Sequence, residues 1–344
     1  MTIAVMALIH SCRKDKAGPP VEHPAASTEL ACNANCEDIP PGPEVGWTYQ
    51  STGPQFLTPC FNPNNSNEFV FLRRGTASVA ELVKYNLSSN SEEVLCNSIP
   101  IATPPQWGDS GWITFSTIGW EVWKIKEDGS QLTQLTHGAK DLFPYFSSTG
   151  QEIYYFRAKS YNNSELSQNP DLYYEYLMMK IDLQGTKIDS VTALDIIPNN
   201  YYQTWQVASF QDDKVYFIGG IDNYYGLYSL DLITESTNTV FTWNTTPQNY
   251  FAQDIDYFNG ELFFTKFRRG LYKVGDMGGT EIEIRNGCGM KYYKDFSISN
   301  DGAKLIAEVV ISDYSLELGF IEEQHDIYLI DLASCEETII LDGE

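Results

Sequence analysis

Basic residues are scarce in this chain: 22 Lys and Arg stand against 46 Asp and Glu, a formal net charge of -24. Such a surface repels a phosphate backbone and has no general basic patch from which to release counterions, so nucleic acid is excluded as an expected partner. Histidine is scarcer still, with four residues, of which only His137 and His325 fall in the patterned part of the chain. Two histidines do not gather a catalytic metal shell, and only Cys32 and Cys36 are closely spaced cysteines, so no metal and no cofactor are expected. A GxSxG elbow, a P-loop and an HExxH helix are all missing, and no catalytic residue is assigned. Ala-rich or Leu-rich helical stretches are nearly absent, and the apolar stretch MTIAVMALIHS at the start is too short to span a bilayer. What is abundant is Tyr, Phe, Gly and Asn, with 42% hydrophobic and 14% aromatic residues. That composition suits many short strands joined by tight turns, an all-β chain.

Residues 13 to about 46 hold Pro19, Pro20, Pro24, Pro40, Pro41 and Pro43 without apolar periodicity, and read as a tether. From there a unit recurs six times. Its first halves are PCFNPNNSNEFVF, PQWGDSGWITF, PYFSSTGQEIYYF, VASFQDDKVYF, DIDYFNGELFF and DFSISNDGAKLIA. Its second halves are ELVKYNL, EVWKIKE, LMMKIDL, GLYSLDL, GLYKVGD and DIYLIDL, with matching core positions at Tyr85, Ile125, Ile181, Leu230, Val274 and Ile330. The spacings of 40, 56, 49, 44 and 56 residues suit four-stranded propeller blades and not helical solenoids. A lone four-stranded sheet cannot bury both faces, whereas six packed radially cover one another. The expected fold is therefore an all-β, six-bladed propeller of four-stranded antiparallel blades over residues 47–344, its aromatics filling the wedges between blades.

The run EVWKIKEDGSQLTQLTHGAKDLFPYFSSTGQEIYYF resembles the repeat of TolB-like six-bladed propellers: a strand, an Asp-Gly turn, a Leu-Thr strand and a Pro-aromatic-Ser strand. Asp128, Gly129, Leu135, Thr136, Pro144, Phe146, Ser147 and Gly150 occupy those motif positions, and Phe296, Ser297, Asp301 and Gly302 repeat them in the last unit. The resemblance spans about residues 55 to 342 and does not extend to the N-terminal α/β domain of TolB, so it implies fold and compartment rather than TolB's partner. The start of the chain resembles a bacterial lipoprotein signal: Leu8, Ile9, His10 and Ser11 lead to Cys12, followed by a charged run. The implied organisation is a signal peptide over 1–11, a lipidated tether over 12–46 with Cys12 acylated, and attachment to the outer membrane of the bacterial envelope, periplasmic or surface-exposed. The six remaining cysteines, Cys32, Cys36, Cys60, Cys96, Cys288 and Cys335, allow up to three disulfides in 15 connectivities.

In a blade the strands run outward from the axis, so the connection from second to third strand shares a face with the connection to the next blade. Long second-to-third connections in units three (157–176) and six (308–325) are expected to overhang that face. Five of the seven arginines, Arg73, Arg74, Arg157, Arg268 and Arg269, follow second strands, and Tyr201, Tyr202, Trp205, Tyr292 and Tyr293 precede inner strands. Guanidinium groups grip carboxylates bidentately and rings stack on sugars or cover a peptide, so these ten residues are the expected ligand-binding set. The functional expectation is a non-catalytic binding or scaffolding module for an envelope protein or an anionic glycan. The alternatives are a polysaccharide-active lyase or hydrolase working in the channel, and a purely structural assembly platform.

Overall fold

The computed structural model describes residues 48–343 apart from 52, 76–78, 138–139, 159–175, 195–206, 212–213, 222–223, 244–251, 267–268, 288–290 and 316–319. The leader, the tether and Cys12 lie outside the described residues, as do Tyr201, Tyr202, Trp205 and Arg268.

Six four-stranded antiparallel meanders follow one another along the chain. The first consists of Gln55–Asn62, Asn65–Arg74, Glu81–Asn86 and Ser91–Cys96; the others span 106–134, 141–194, 207–243, 252–285 and 291–341. Their inner strands touch in cyclic order, with the sixth (Lys291–Ile298) lying against the first, so the ring is closed. Each blade is a continuous stretch of chain, and the last gains a fifth strand: Thr48–Ser51 pairs in parallel with Phe320–Glu323, beyond the point where Glu337–Leu341 leaves off.

Period-two alternation explains why the blades stack. In the second strand of blade one, Phe69 and Phe71 enter a cluster with Ile306 and Ile327 of blade six, while Val70 and Leu72 enter one with Ile113 and Phe115 of blade two. The same division holds in blade four, where Val215 and Phe217 face blade three, and Tyr216 and Ile218 face blade five. Six seams thus hold six apolar clusters, and the positions Tyr85, Ile125, Ile181, Leu230, Val274 and Ile330 each lie in the seam with the preceding blade. The aromatics serve packing here, as in the tilted stack of Phe69 on Tyr85 at 5.1 Å between ring centres.

Two expectations need correction. The long connection of unit six is a hairpin rather than a loop: its strands extend as Lys304–Ser315 and Phe320–Asp331, because the β-branched run Val309, Val310, Ile311 continues the strand pattern. His325 consequently sits within a strand. The allowance of up to three disulfides narrows as well, since Cys60 and Cys96 are free thiols buried as small hydrophobes in the seam between blades one and two. Burial pushes the Cys60 thiol up to about 12, which keeps it unreactive. Cys335 is disulfide-bonded.

Candidate functional site

The channel wall is built from a backbone irregularity that repeats around the ring. In blades one, three, four, five and six the inner strand slips register against its neighbour at the same place: between Leu57 and Cys60, Leu142 and Tyr145, Val207 and Phe210, Ala252 and Ile255, Tyr293 and Phe296. Such bulges re-aim side chains, here toward the axis. Thr58 and Phe143, at equivalent bulge positions, adopt φ of 49° and 50°, a left-handed backbone unusual for side chains of their bulk.

Aligned by these bulges, the channel has two unlike walls. At one level Pro59, Pro105 and Pro144 of the first three blades face Asp254 and Asp295 of blades five and six. Toward one end Thr58, Pro104 and Phe143 face Gln253 and Lys294; toward the other, Phe61, Trp107 and Phe146 face Asp256 and Ser297. The prolines suit positions whose N–H finds no ladder partner. The aspartates do the opposite work, accepting N–H groups across a seam: Phe296 N–H donates to Asp254 Oδ2 at 2.7 Å and Ile298 N–H to Asp256 Oδ2 at 2.9 Å.

The mouth that opens beside Arg74 is a cavity of about 360 Å³. Its lining includes Gln55 at the start of an inner strand, Arg74 at the end of a second strand, and Glu323 and His325 near the start of a third, so it opens on the face of the second-to-third connections. At its base Glu308, with 0% exposure, lies on the side of its strand that Ile306 turns toward blade one. It is fully partnered: Thr58 N–H donates to Oε2 at 3.0 Å, and Lys294 Nζ (3.1 Å) and His325 Nδ1 (2.8 Å) share Oε1. Burial alone would raise this carboxyl, yet the Lys294 ammonium and His325 hold it below the usual carboxylate range. Lys294 shows the converse balance: burial opposes its charge, but Glu308 and Asp295 raise its pKa above the ordinary lysine value. An ionised Glu308 has no proton to give, so His325 Nδ1–H is the donor; the other ring nitrogen, Nε2, lies 3.8 Å from Glu323 Oε2.

Three buried side-chain atoms of residues lining this cavity make no hydrogen bond to the described residues: Thr58 Oγ1, Gln253 Oε1 and His325 Nε2. Gln253 and His325 are 8% and 5% exposed. Buried polar atoms without hydrogen-bond partners carry a desolvation cost.

The arginines of the sequence reading divide. Arg73 is engaged with Glu81 (2.9 Å) and Glu92 (2.6 Å), and Arg157 forms a two-pronged pair with the fully buried Asp141 at 2.7 and 2.9 Å. Arg269 is half-buried in its connection, its carbonyl accepting the Tyr293 N–H. Arg74 is exposed, lines the mouth, and pairs with no described carboxylate. Tyr292 and Tyr293 are buried rather than displayed as platforms: Tyr292 donates its hydroxyl to Glu323 at 3.3 Å, and Tyr293 is held between Arg285 and Glu337. Sequence reasoning passed over Gln253, Lys294 and Glu308. The available signals were Asp254 and Asp295 standing where three other units have proline, and a glutamate interrupting the apolar run LIAEVVI.

Asp254 titrates abnormally. Burial first, then the neighbouring Asp295, raise its pKa well above the usual carboxylate value. A carboxyl whose folded pKa is raised contributes stability below its unfolded value, about 3.9, and loses it as pH rises through the folded pKa. Asp254→Asn should therefore flatten the stability-versus-pH curve above about pH 4. Urea midpoints measured across that window check this; an unchanged slope contradicts it.

No protein-family profile matches this sequence, and no curated protein sequence matches it. Solved structures do resemble it. A structure described as TolB from Agrobacterium tumefaciens aligns at a TM-score of 0.54 and 11% identity, over 75% of this chain and 87% of that one. The propeller domain of the Trilobed protease from Pyrococcus furiosus aligns at 0.52 and 11%, over 86% and 98%. Pyrococcus horikoshii acylaminoacyl peptidase aligns at 0.54 and 13%, over 87% of this chain, which spans only 54% of the peptidase. Identities this low speak to fold alone. Taken with the six closed meanders, they make this chain a six-bladed β-propeller of the TolB-like fold.

Proposed function

We propose that the protein is a binding or scaffolding module of the bacterial envelope, held to the outer membrane through Cys12, that receives a protein or glycan at the Arg74 mouth of its channel. The observation that carries this reading is a cavity of about 360 Å³ lined by the exposed Arg74, which pairs with no described carboxylate. Support for an anionic group on the ligand narrows to Arg74, because Arg73, Arg157 and Lys294 are engaged with carboxylates of the chain. Among the described residues no helix is long and apolar enough to cross a membrane; the proposed attachment is an acylated Cys12.

Arg74→Ala tests the reading cleanly, since Arg74 is exposed and supports no described neighbour. The expected outcome is an unchanged melting temperature with at least about tenfold weaker retention of whatever co-purifies with the native lipoprotein, equivalent to one lost charge-assisted contact. Equal retention by the variant contradicts it. A second reading, a lyase or hydrolase in the same channel, is favoured by the buried His325–Glu308 pair beside the cavity. It differs in predicting chemical conversion of a bound oligosaccharide, visible by NMR.

A further inference from the structure

Among the described residues, most of the large apolar side chains that are exposed lie off the face on which the Arg74 mouth opens. Val94, Ile282 and Ile339 lie on fourth strands at the outer edge of their blades, and Ile233 and Met277 in third-to-fourth turns on the opposite face. Scattered residues of that kind are ordinary on any surface. Ile118 and Trp120 differ. They are 57% and 44% exposed and stand two residues apart in the second-to-third connection of blade two, on the face of the mouth.

The turn that carries them is braced. Trp120 N–H donates to Thr117 O at 2.9 Å and Thr117 N–H to Glu121 O at 3.0 Å, while the neighbouring connections tie it down through Ile118 N–H to Pro100 O (2.9 Å) and Asp141 N–H to Trp120 O (2.8 Å). Within it Trp120 holds φ at 67°, a left-handed backbone in which a side chain of this bulk is strained. Lys140, also exposed, sets its ammonium 5.9 Å from the centre of the indole. An isoleucine, an indole and a lysine together match the boundary between acyl chains and headgroups, where tryptophan settles with one end dry and one wet and lysine reaches back to water.

Two observations favour a bilayer over a protein as the occupant. Two side chains from one turn fall well short of the roughly 800 Å² that each partner commits to a standard protein interface. Position is the second. Thr48–Ser51 pairs in parallel with Phe320–Glu323, so the chain enters the domain beside the end of the blade-six hairpin, itself a second-to-third connection. The segment leading back to Cys12 therefore meets the domain on the face that carries Ile118 and Trp120, and an anchor pulls on that face. The net charge of -24 opposes laying the whole face on anionic lipid, which leaves a small apolar projection as the part suited to contact.

We infer that the Ile118–Trp120 turn is a lipid-contacting finger that inserts both side chains at the headgroup boundary of the membrane holding Cys12, and so fixes which way the propeller faces. The inference rests on the anchoring proposed above and adds an orientation to it. Because the turn lies outward of the inner strands, contact there does not cap the mouth.

The acylated protein in vesicles of phosphatidylethanolamine and phosphatidylcholine tests it. A fluorophore is placed through Ile118→Cys and, on the opposite face, through Met277→Cys, where the side chain is 87% exposed. The parent carried through the same labelling supplies the background from its own thiols. Nitroxide-bearing acyl chains should quench the label at 118 at least about twofold and leave the label at 277 at background. Adding Trp120→Ser should remove at least about half of that quenching, and about 0.5 M salt should leave it unchanged, since apolar contact is not screened. An unquenched label at 118 in protein whose Cys12 carries its acyl chains overturns the finger and leaves the anchor, as does shielding of that label by a co-purifying protein instead of lipid. Equal quenching at 118 and 277 overturns the orientation. Cys12 found unacylated by mass spectrometry overturns anchor and finger together, while Arg74-dependent retention of a partner is read separately from all of these.

Discussion

Glu308→Ala is expected to lower the unfolding free energy by about 3 kcal/mol, because it strands the Lys294 ammonium, the His325 Nδ1–H and the Thr58 N–H around an empty acceptor position. Breaking a buried ion pair from one side costs about 3–5 kcal/mol; the lower end applies here, since 34% of the Lys294 side chain is reached by solvent. Replacing both partners should be far milder. A Glu308→Met, Lys294→Met protein is expected to recover more than half of the loss, giving a coupling of about 2 kcal/mol in a double-mutant cycle. The acid limb supplies an independent reading. Glu308 is held below its ordinary pKa, so its contribution is present above the unfolded value, about 4.3, and is lost as pH falls through the folded pKa. The alanine variant should therefore lose less stability than the parent on acidification below about pH 4.5. Urea unfolding at a series of pH values checks both expectations, and a Glu308→Ala loss below about 1 kcal/mol contradicts the assigned network.

Phe69→Ala is the second large effect, about 3–5 kcal/mol from a fully buried aromatic at the seam where the ring closes. Set against typical stabilities of about 5–15 kcal/mol, that is a substantial fraction of the whole. Phe264→Ala, equally buried in the seam between blades four and five, should cost about as much. The two should part company at the mouth. Blades one and six meet through the Phe69 cluster and through the Thr58–Glu308 bond, so loosening that seam should raise hydrogen exchange at Thr58 N–H in Phe69→Ala and not in Phe264→Ala. Equal exchange at Thr58 in both variants would mean that the seam does not hold the site together.

Much of the architecture was legible because a propeller repeats its physics. Apolar alternation and turn residues recur in each unit, so six weak patterns reinforce one reading, and the seam positions from Tyr85 to Ile330 could be aligned before any geometry was known. The site was less legible for the opposite reason. Gln253, Lys294 and Glu308 are single departures from the repeat, and their meaning depends on which blade lies across the channel or across the closing seam. Arginines after second strands were placed at the right points of the chain, but sequence could not show that Glu81, Glu92 and Asp141 already occupy Arg73 and Arg157. Nor could it show that Tyr292 and Tyr293 turn inward, since the same aromatic signal serves packing and display alike.

The mouth as a site rests on the Glu308 network that joins blades one and six beside it, and His325 reports on that most directly. Side-chain nitrogen NMR of the full chain should show a proton on Nδ1, shared with Glu308. A bare Nδ1 would break the bond assigned at 2.8 Å and contradict the account.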